Sequence, residues 1–117
     1  MIKNSEFLFV YGTLQRGFNN PFAKFLRKSS IFIGKGYIRG KKYQIKWYPG
    51  VKRSLYKKDR VYGEIYKIFN SKALFRVLDR YEEATKYNFK NFEFIRRKSP
   101  VIKNGKIYIS WVYFYQS

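Results

Sequence analysis

Three of the seven acidic residues, Asp79, Glu82 and Glu83, fall within five consecutive positions. The chain has no histidine and no cysteine, so disulfides, thiolate nucleophiles and thiolate metal sites are excluded, and the commonest general base and metal ligand is missing. Acid-base chemistry then falls to Asp, Glu, Lys or Tyr. On a helix, Glu82 follows Leu74 and Leu78 at intervals of four and extends their apolar stripe, whereas Glu83 is turned from it by about 100°. A carboxylate facing inward at a helix C-terminus loses hydration and meets the negative end of the dipole, and both effects raise its pKa. Such a group can serve as general base or acid near neutral pH. The same cluster also reads as a solvated helix end whose acids pair with Lys86 and Arg80.

A second candidate lies at Phe7 to Gly17, "FLFVYGTLQRG". An uninterrupted apolar run leads into Tyr11-Gly12-Thr13-Leu14, and Gly17 follows five positions after Gly12. Glycines here let the backbone turn tightly and present N–H groups to a carboxylate or phosphate. No Lys-Ser/Thr pair follows Gly17 directly, so it is not a phosphate loop of the nucleotide-binding kind. On spacing alone, a structural turn accounts for it as well.

The elements that must hold these residues follow from periodicity. Phe7 to Val10 suits a strand buried on both faces. "NNPFAKFLRKSS" carries Asn20 as N-cap, Pro21 at the first helical position, Phe22, Phe25 and Leu26 on one face, and Arg27 and Lys28 near the end. That predicts a short amphipathic helix. The middle alternates like sheet: "IFIGKGYI", then "KKYQIKWY" with Tyr43, Ile45 and Trp47 on one face, then "RVYGEIYKIF" from Arg60. "NSKALFRVLDRYEEA" changes period, with Leu74, Val77, Leu78 and Tyr81 on one helical face behind a cap at Asn70 or Ser71. Near the end, Asn104-Gly105 is a strong hairpin signal, and Ile107, Ile109, Trp111, Tyr113 and Tyr115 line one face of a last strand. The sum predicts an α+β fold with a curved or closed sheet.

With 117 residues, 45% of them hydrophobic, the chain can bury a core as one domain spanning 1–117. No apolar run approaches the roughly 18 residues that cross a bilayer, and the N-terminus lacks a cleavable-signal pattern. A cytoplasmic location is expected. The formal charge of +19 brings nucleic acid into consideration. It is equally what compositional bias toward Lys, Asn, Ile, Phe and Tyr would give.

Taken together, "FVYGTLQRG" with Asn19 or Asn20 downstream, "WYPGV" at Trp47 to Val51, "VYGEIYKI" at Val61 to Ile68, "LDRYEEATKY" at Leu78 to Tyr87 and "SWVYFYQ" near the end occur in one order. In that order the chain resembles the gamma-glutamylcyclotransferase-like proteins, including the AIG2-like and gamma-glutamylamine cyclotransferase members. The resemblance implies a small mixed barrel flanked by two short helices, with a pocket at the end of the first strand. It implies that Tyr11, Gly12, Thr13 and Leu14 hold the glutamyl end of a small γ-glutamyl substrate, and that Glu82 is the catalytic glutamate. Pro49 and Gly50 would form a pocket wall, and the Tyr113 hydroxyl would reach the substrate, although a core-packing role suits Tyr113 equally. The implied reaction releases 5-oxoproline and an amine by intramolecular attack, with no metal or cofactor. Two departures bear on it: Glu83 stands where members often have glycine, and Tyr87-Asn88-Phe89 where they often have Tyr-x-Arg.

A different function class remains alongside. Residues 35 to 60 carry ten lysines and arginines interleaved with Tyr37, Tyr43, Trp47, Tyr48 and Tyr56, and Arg96, Arg97 and Lys98 add a second run. Cations neutralise phosphates while aromatics stack on bases, which would suit a non-catalytic module that binds nucleic acid or another polyanion. No RNA-recognition signature is present, and alternation in "KKYQIKWY" sets the aromatics opposite most lysines.

Overall fold

In a computed structural model of the chain, the structure describes residues 6–12, 15–17, 19–44, 49–86 and 94–115, without the side chains of Pro49, residues 79–86 and Phe94. Strand β1 (Glu6–Val10) is followed by helix α1 (Pro21–Lys28), strands β2 (Ser30–Gln44), β3 (Pro49–Arg53) and β4 (Arg60–Ile68), helix α2 (Ser71–Lys86), and strands β5 (Phe94–Lys103) and β6 (Lys106–Tyr115). The sheet order is β3-β2-β4-β1-β6-β5, and a further β2–β5 pairing at Tyr37 and Ile102 closes five strands into a barrel. The sheet is mixed, because β1 and β6 run parallel while the other pairs are antiparallel.

The apolar run of β1 has a direct reason. Leu8 and Val10 pack on one side with Leu26 of α1 and Leu74, Phe75 and Leu78 of α2. Phe9 and, just past the strand, Tyr11 turn to the other side, into the barrel interior with Ile38, Val51, Ile65, Val101, Val112 and Phe114. Successive side chains of a strand alternate in direction, so a strand between a helix layer and a barrel interior must be apolar at every position. β1 also lies tight on β4: a Cβ at Gly63 would collide with the Val10 carbonyl oxygen and come within 2.7 Å of Phe9 Cζ.

Both helix starts follow the capping residues. Asn20 Oδ1 accepts the Ala23 N–H at 2.8 Å ahead of Pro21. Asn70 Oδ1 accepts the Ala73 N–H at 3.2 Å, and the Asn70 carbonyl accepts that of Leu74 at 3.0 Å. These bonds satisfy N–H groups that the helices leave without internal partners. Asn104 and Gly105 take φ of 49° and 78° between β5 and β6, the left-handed pair of a tight hairpin.

Three expectations change in detail. "IFIGKGYI" and the start of "KKYQIKWY" form one strand of fifteen residues, with a register shift between Phe32 and Gly34. Burial does not alternate at its end: Lys41, Lys42, Tyr43 and Gln44 are all exposed, where this end of β2 has left β4 and pairs with β3 alone. Ile45 and Trp47 lie outside the described residues. On β6 the buried alternate set is Ser110, Val112 and Phe114, while Ile107 and Ile109 of the other set are 65% and 53% exposed. Only Trp111 and Tyr113 of that set come under the helices, where they join the Leu8 and Leu74 cluster.

Candidate functional site

The site is built outward from the end of β1. Val10 pairs with Glu64 of β4, and Tyr11 follows, its hydroxyl donating to the Tyr113 carbonyl at 2.5 Å. That bond ties the strand end to β6, the parallel neighbour. The chain then turns: the Gly12 carbonyl accepts the Gln15 N–H at 3.1 Å and Gln15 Nε2 at 3.3 Å. Here the Gly12 carbonyl is spent on closing the turn.

The return of the loop is fastened at Arg16 from three directions. Its backbone N–H donates to Glu64 Oε1 at 2.7 Å, its carbonyl accepts Arg27 Nη1 of α1 at 3.2 Å, and its guanidinium lies 4.2 Å from the centroid of the Phe32 ring. Glu64 is only 7% exposed. Its Oε1 also accepts the Tyr66 hydroxyl at 2.9 Å. Burial first, then the bond to Glu64 and its negative charge, push the Tyr66 phenol well above the ordinary tyrosine range, so it stays a donor. Glu64 and Tyr66 are two apart on β4 and share a face, the one that the helices cover.

Of the residues singled out in the sequence, Tyr11, Gly12 and Tyr113 come together here. Tyr113 is 6% exposed and belongs to the helix-side core; it is its backbone carbonyl that accepts the Tyr11 hydroxyl at the root of the loop. Thr13 and Leu14 lie outside the described residues. Pro49 and Gly50 pair with Gln44 and Tyr43 in β3, where Gly50 is buried. Glu82 lies within α2, one turn beyond buried Leu78; its side chain is outside the described residues.

Sequence reasoning passed over Glu64. It stood inside "VYGEIYKI" as an acid among alternating apolar residues, at a strand position whose register facing Val10 only the fold supplies. A buried carboxylate in such a setting costs several kcal/mol in desolvation unless donors meet it. The signal was an acid on the apolar face of a strand.

Residues 8–117 match the model of the family described as Gamma-glutamyl cyclotransferase, AIG2-like. The chain belongs to that family. It is 35% identical over 115 residues to a Methanocaldococcus jannaschii protein named "Putative gamma-glutamylcyclotransferase", covering 94% of this chain and 84% of that one. Among solved structures it resembles an AIG2-like protein from Mus musculus, with a TM-score of 0.68, 23% identity, and coverage of 96% of this chain and 78% of that one. It also resembles YkqA from Bacillus subtilis, with a TM-score of 0.73 and 22% identity. There the match covers 97% of this chain but only 36% of the Bacillus protein. These likenesses show the same fold: a small α+β barrel with two helices.

Proposed function

We propose that the protein is a γ-glutamyl cyclotransferase acting on a γ-glutamyl amine or peptide. The observation that supports this reading best is the loop after β1: its root is bonded to β6 through Tyr11, and its return is bonded to a buried carboxylate through Arg16. A loop fixed at both ends can hold a folded substrate conformer with little further loss of entropy.

In the proposed reaction the substrate's α-amine attacks its own γ-carbonyl carbon. A carbon–nitrogen bond forms, a five-membered lactam closes, and the γ-amide bond breaks to release 5-oxoproline and the amine. The attacking nitrogen must lose a proton and the leaving nitrogen must gain one. Glu82 takes the first and returns it to the second, which balances the step without an outside acid or base. Tyr11, Gly12, Thr13 and Leu14 surround the glutamyl end, with Pro49, Gly50 and Tyr113 as further walls. N–H groups of the loop would stabilise charge that develops on the γ-carbonyl oxygen. The net charge of +19 favours the approach of a substrate with a free α-carboxylate.

The test is mass-spectrometric detection of 5-oxoproline after incubation with a panel of γ-glutamyl amines and dipeptides, run beside Glu82→Gln. Release by the wild-type protein and loss of at least 100-fold in the variant, with an unchanged circular dichroism spectrum, is the expected result. Equal turnover by the variant would remove Glu82 from the mechanism. No release from any member of the panel would count against the reaction.

A further inference from the structure

A second concave site lies away from the loop, where β2 changes partners. β2 touches β5 at Tyr37 and Ile102, then pairs from Gly40 onward with β3. Between the end of β3 and the facing part of β5 a cavity of about 570 Å³ remains open, within the range of sites that enclose small organic ligands. Among the described residues, none of those assigned above to the glutamyl site lines it. Ile107, which does, stands six positions before Tyr113 on β6, roughly 20 Å along the strand.

The lining divides into two chemistries. Arg39 of β2 and Arg53 of β3 supply guanidinium groups, and Ser54 and Ser99 supply hydroxyls. Leu55, Pro100, Ile102 and Ile107 supply an aliphatic wall. Leu55 is 97% exposed and Ile107 65%, so this wall leaves apolar surface in water that an occupant would cover. No acidic side chain lines the cavity among the described residues. The nearby carboxylate of Asp59 accepts the Ser54 hydroxyl at 2.6 Å. Arg53 is steadied over the Phe114 ring at 5.7 Å, and among the described residues neither arginine is paired with an acid.

We propose that this cavity binds a medium-chain aliphatic carboxylate, with its head group at Arg39 and Arg53 and its chain along Leu55, Ile102 and Ile107. Guanidinium groups match a carboxylate's two oxygens. Among the described residues the wall is aliphatic throughout and offers no aromatic ring for stacking, which favours a hydrocarbon chain over a nucleobase or aryl group. The site is independent of the cyclotransferase reading, and neither stands or falls with the other.

The experiment is a methyl-resolved NMR titration of the full chain with sodium decanoate below its micellar concentration, beside decanol and the variant Arg39→Ala. The Arg39 side chain is exposed, and the residue joins the β2–β4 ladder and accepts the Ser54 N–H through its backbone, which alanine retains, so the substitution should leave the fold intact. The expected result is saturable shifts at the Leu55, Ile102 and Ile107 methyls, with binding at least tenfold weaker for decanol and for Arg39→Ala. Shifts spread over the lysine-rich surface, equal affinity for decanol, unaltered binding by Arg39→Ala, or no saturation at all would each overturn the proposal. Retained binding in Arg53→Lys, which keeps the charge, would support it; loss in that variant together with retention in Arg39→Ala would overturn the shared role.

Discussion

At Glu64 one oxygen atom accepts both the Arg16 N–H and the Tyr66 hydroxyl, in a place 7% exposed. Replacing it by alanine orphans two donors at once, and each buried unpaired donor costs about 1–3 kcal/mol. Glu64→Ala should therefore lose about 2–4 kcal/mol by urea unfolding at pH 7, and the Arg16 amide should exchange with solvent much faster while amides of α1 keep their protection. Glu64→Gln retains an oxygen acceptor at the same reach, so most of the stability and the slow exchange at Arg16 should return. If Arg16 exchange is unchanged in Glu64→Ala, the loop is held by the Arg27 bond and the Phe32 contact instead. Because the carboxylate acts on the loop and not on the reacting atoms, Glu64→Gln should also change the substrate's KM more than kcat, whereas Glu82→Gln should act on kcat.

Among the elements, the seam that joins the start of β1 and the start of α2 to the middle of β6 depends on Glu6. Its carboxyl is held below the ordinary range first by a hydrogen bond from Ser71 at the start of α2; burial opposes this, and Trp111 with the cations Lys98 and Arg96 adds to the lowering. The Trp111 indole N–H reaches Glu6 Oε1 at 3.3 Å, while Arg96 stacks 3.8 Å from the Phe75 centroid and 4.7 Å from that of Trp111. A carboxylate whose folded pKa lies below its unfolded value of roughly 4.3 contributes stability above that value and loses it as pH falls through the folded pKa. Glu6→Gln should thus lower Tm slightly at pH 7, for a loss of less than about 1 kcal/mol given the solvent exposure, and the difference from wild type should shrink toward zero below about pH 4. A difference that persists at pH 3 would mean that shape, not charge, joins these elements. This seam also marks where sequence could be read. Both helices, their caps Asn20 and Asn70, the both-faces-buried β1 and the Asn104-Gly105 turn follow from local rules of hydrogen bonding and period. The strand β3, the single length of β2 and the split face of β6 do not, because each depends on which distant strand lies alongside. Glu64 was hidden for the same reason: its partners Arg16 and Val10 are 48 and 54 positions away.

For the molecule as a whole, the dominant quantity is charge. The sequence holds 26 basic residues against seven acidic ones, and the acids with described side chains, Glu6, Asp59 and Glu64, are already engaged by hydrogen bonds or cations. Many cations instead rest on rings: Lys52 Nζ lies 5.7 Å from the Tyr43 centroid and 5.8 Å from that of Tyr115, and Arg60 lies 4.5 Å from that of Tyr37. Such contacts are worth about 0.5–1 kcal/mol at exposed sites and bring cations close without neutralising them. A compact state carrying +19 therefore repels itself more than the expanded chain does. Salt screens that repulsion, since the Debye length falls from about 30 Å at 0.01 M to about 10 Å at 0.1 M. Tm should rise by several degrees as sodium chloride increases from 10 to 200 mM, and the same salt should abolish weak, sequence-independent binding to a mixed oligonucleotide, with a steep negative slope in log affinity. Differential scanning calorimetry and fluorescence anisotropy measure the two in one buffer series. A Tm that falls with salt would show that local attractions outweigh the net repulsion. Oligonucleotide binding that survives 200 mM salt with a shallow slope would show non-ionic contacts, such as stacking on exposed Tyr43, Tyr56 and Tyr62, and would favour a polyanion-binding role for the basic end of β2 and β3.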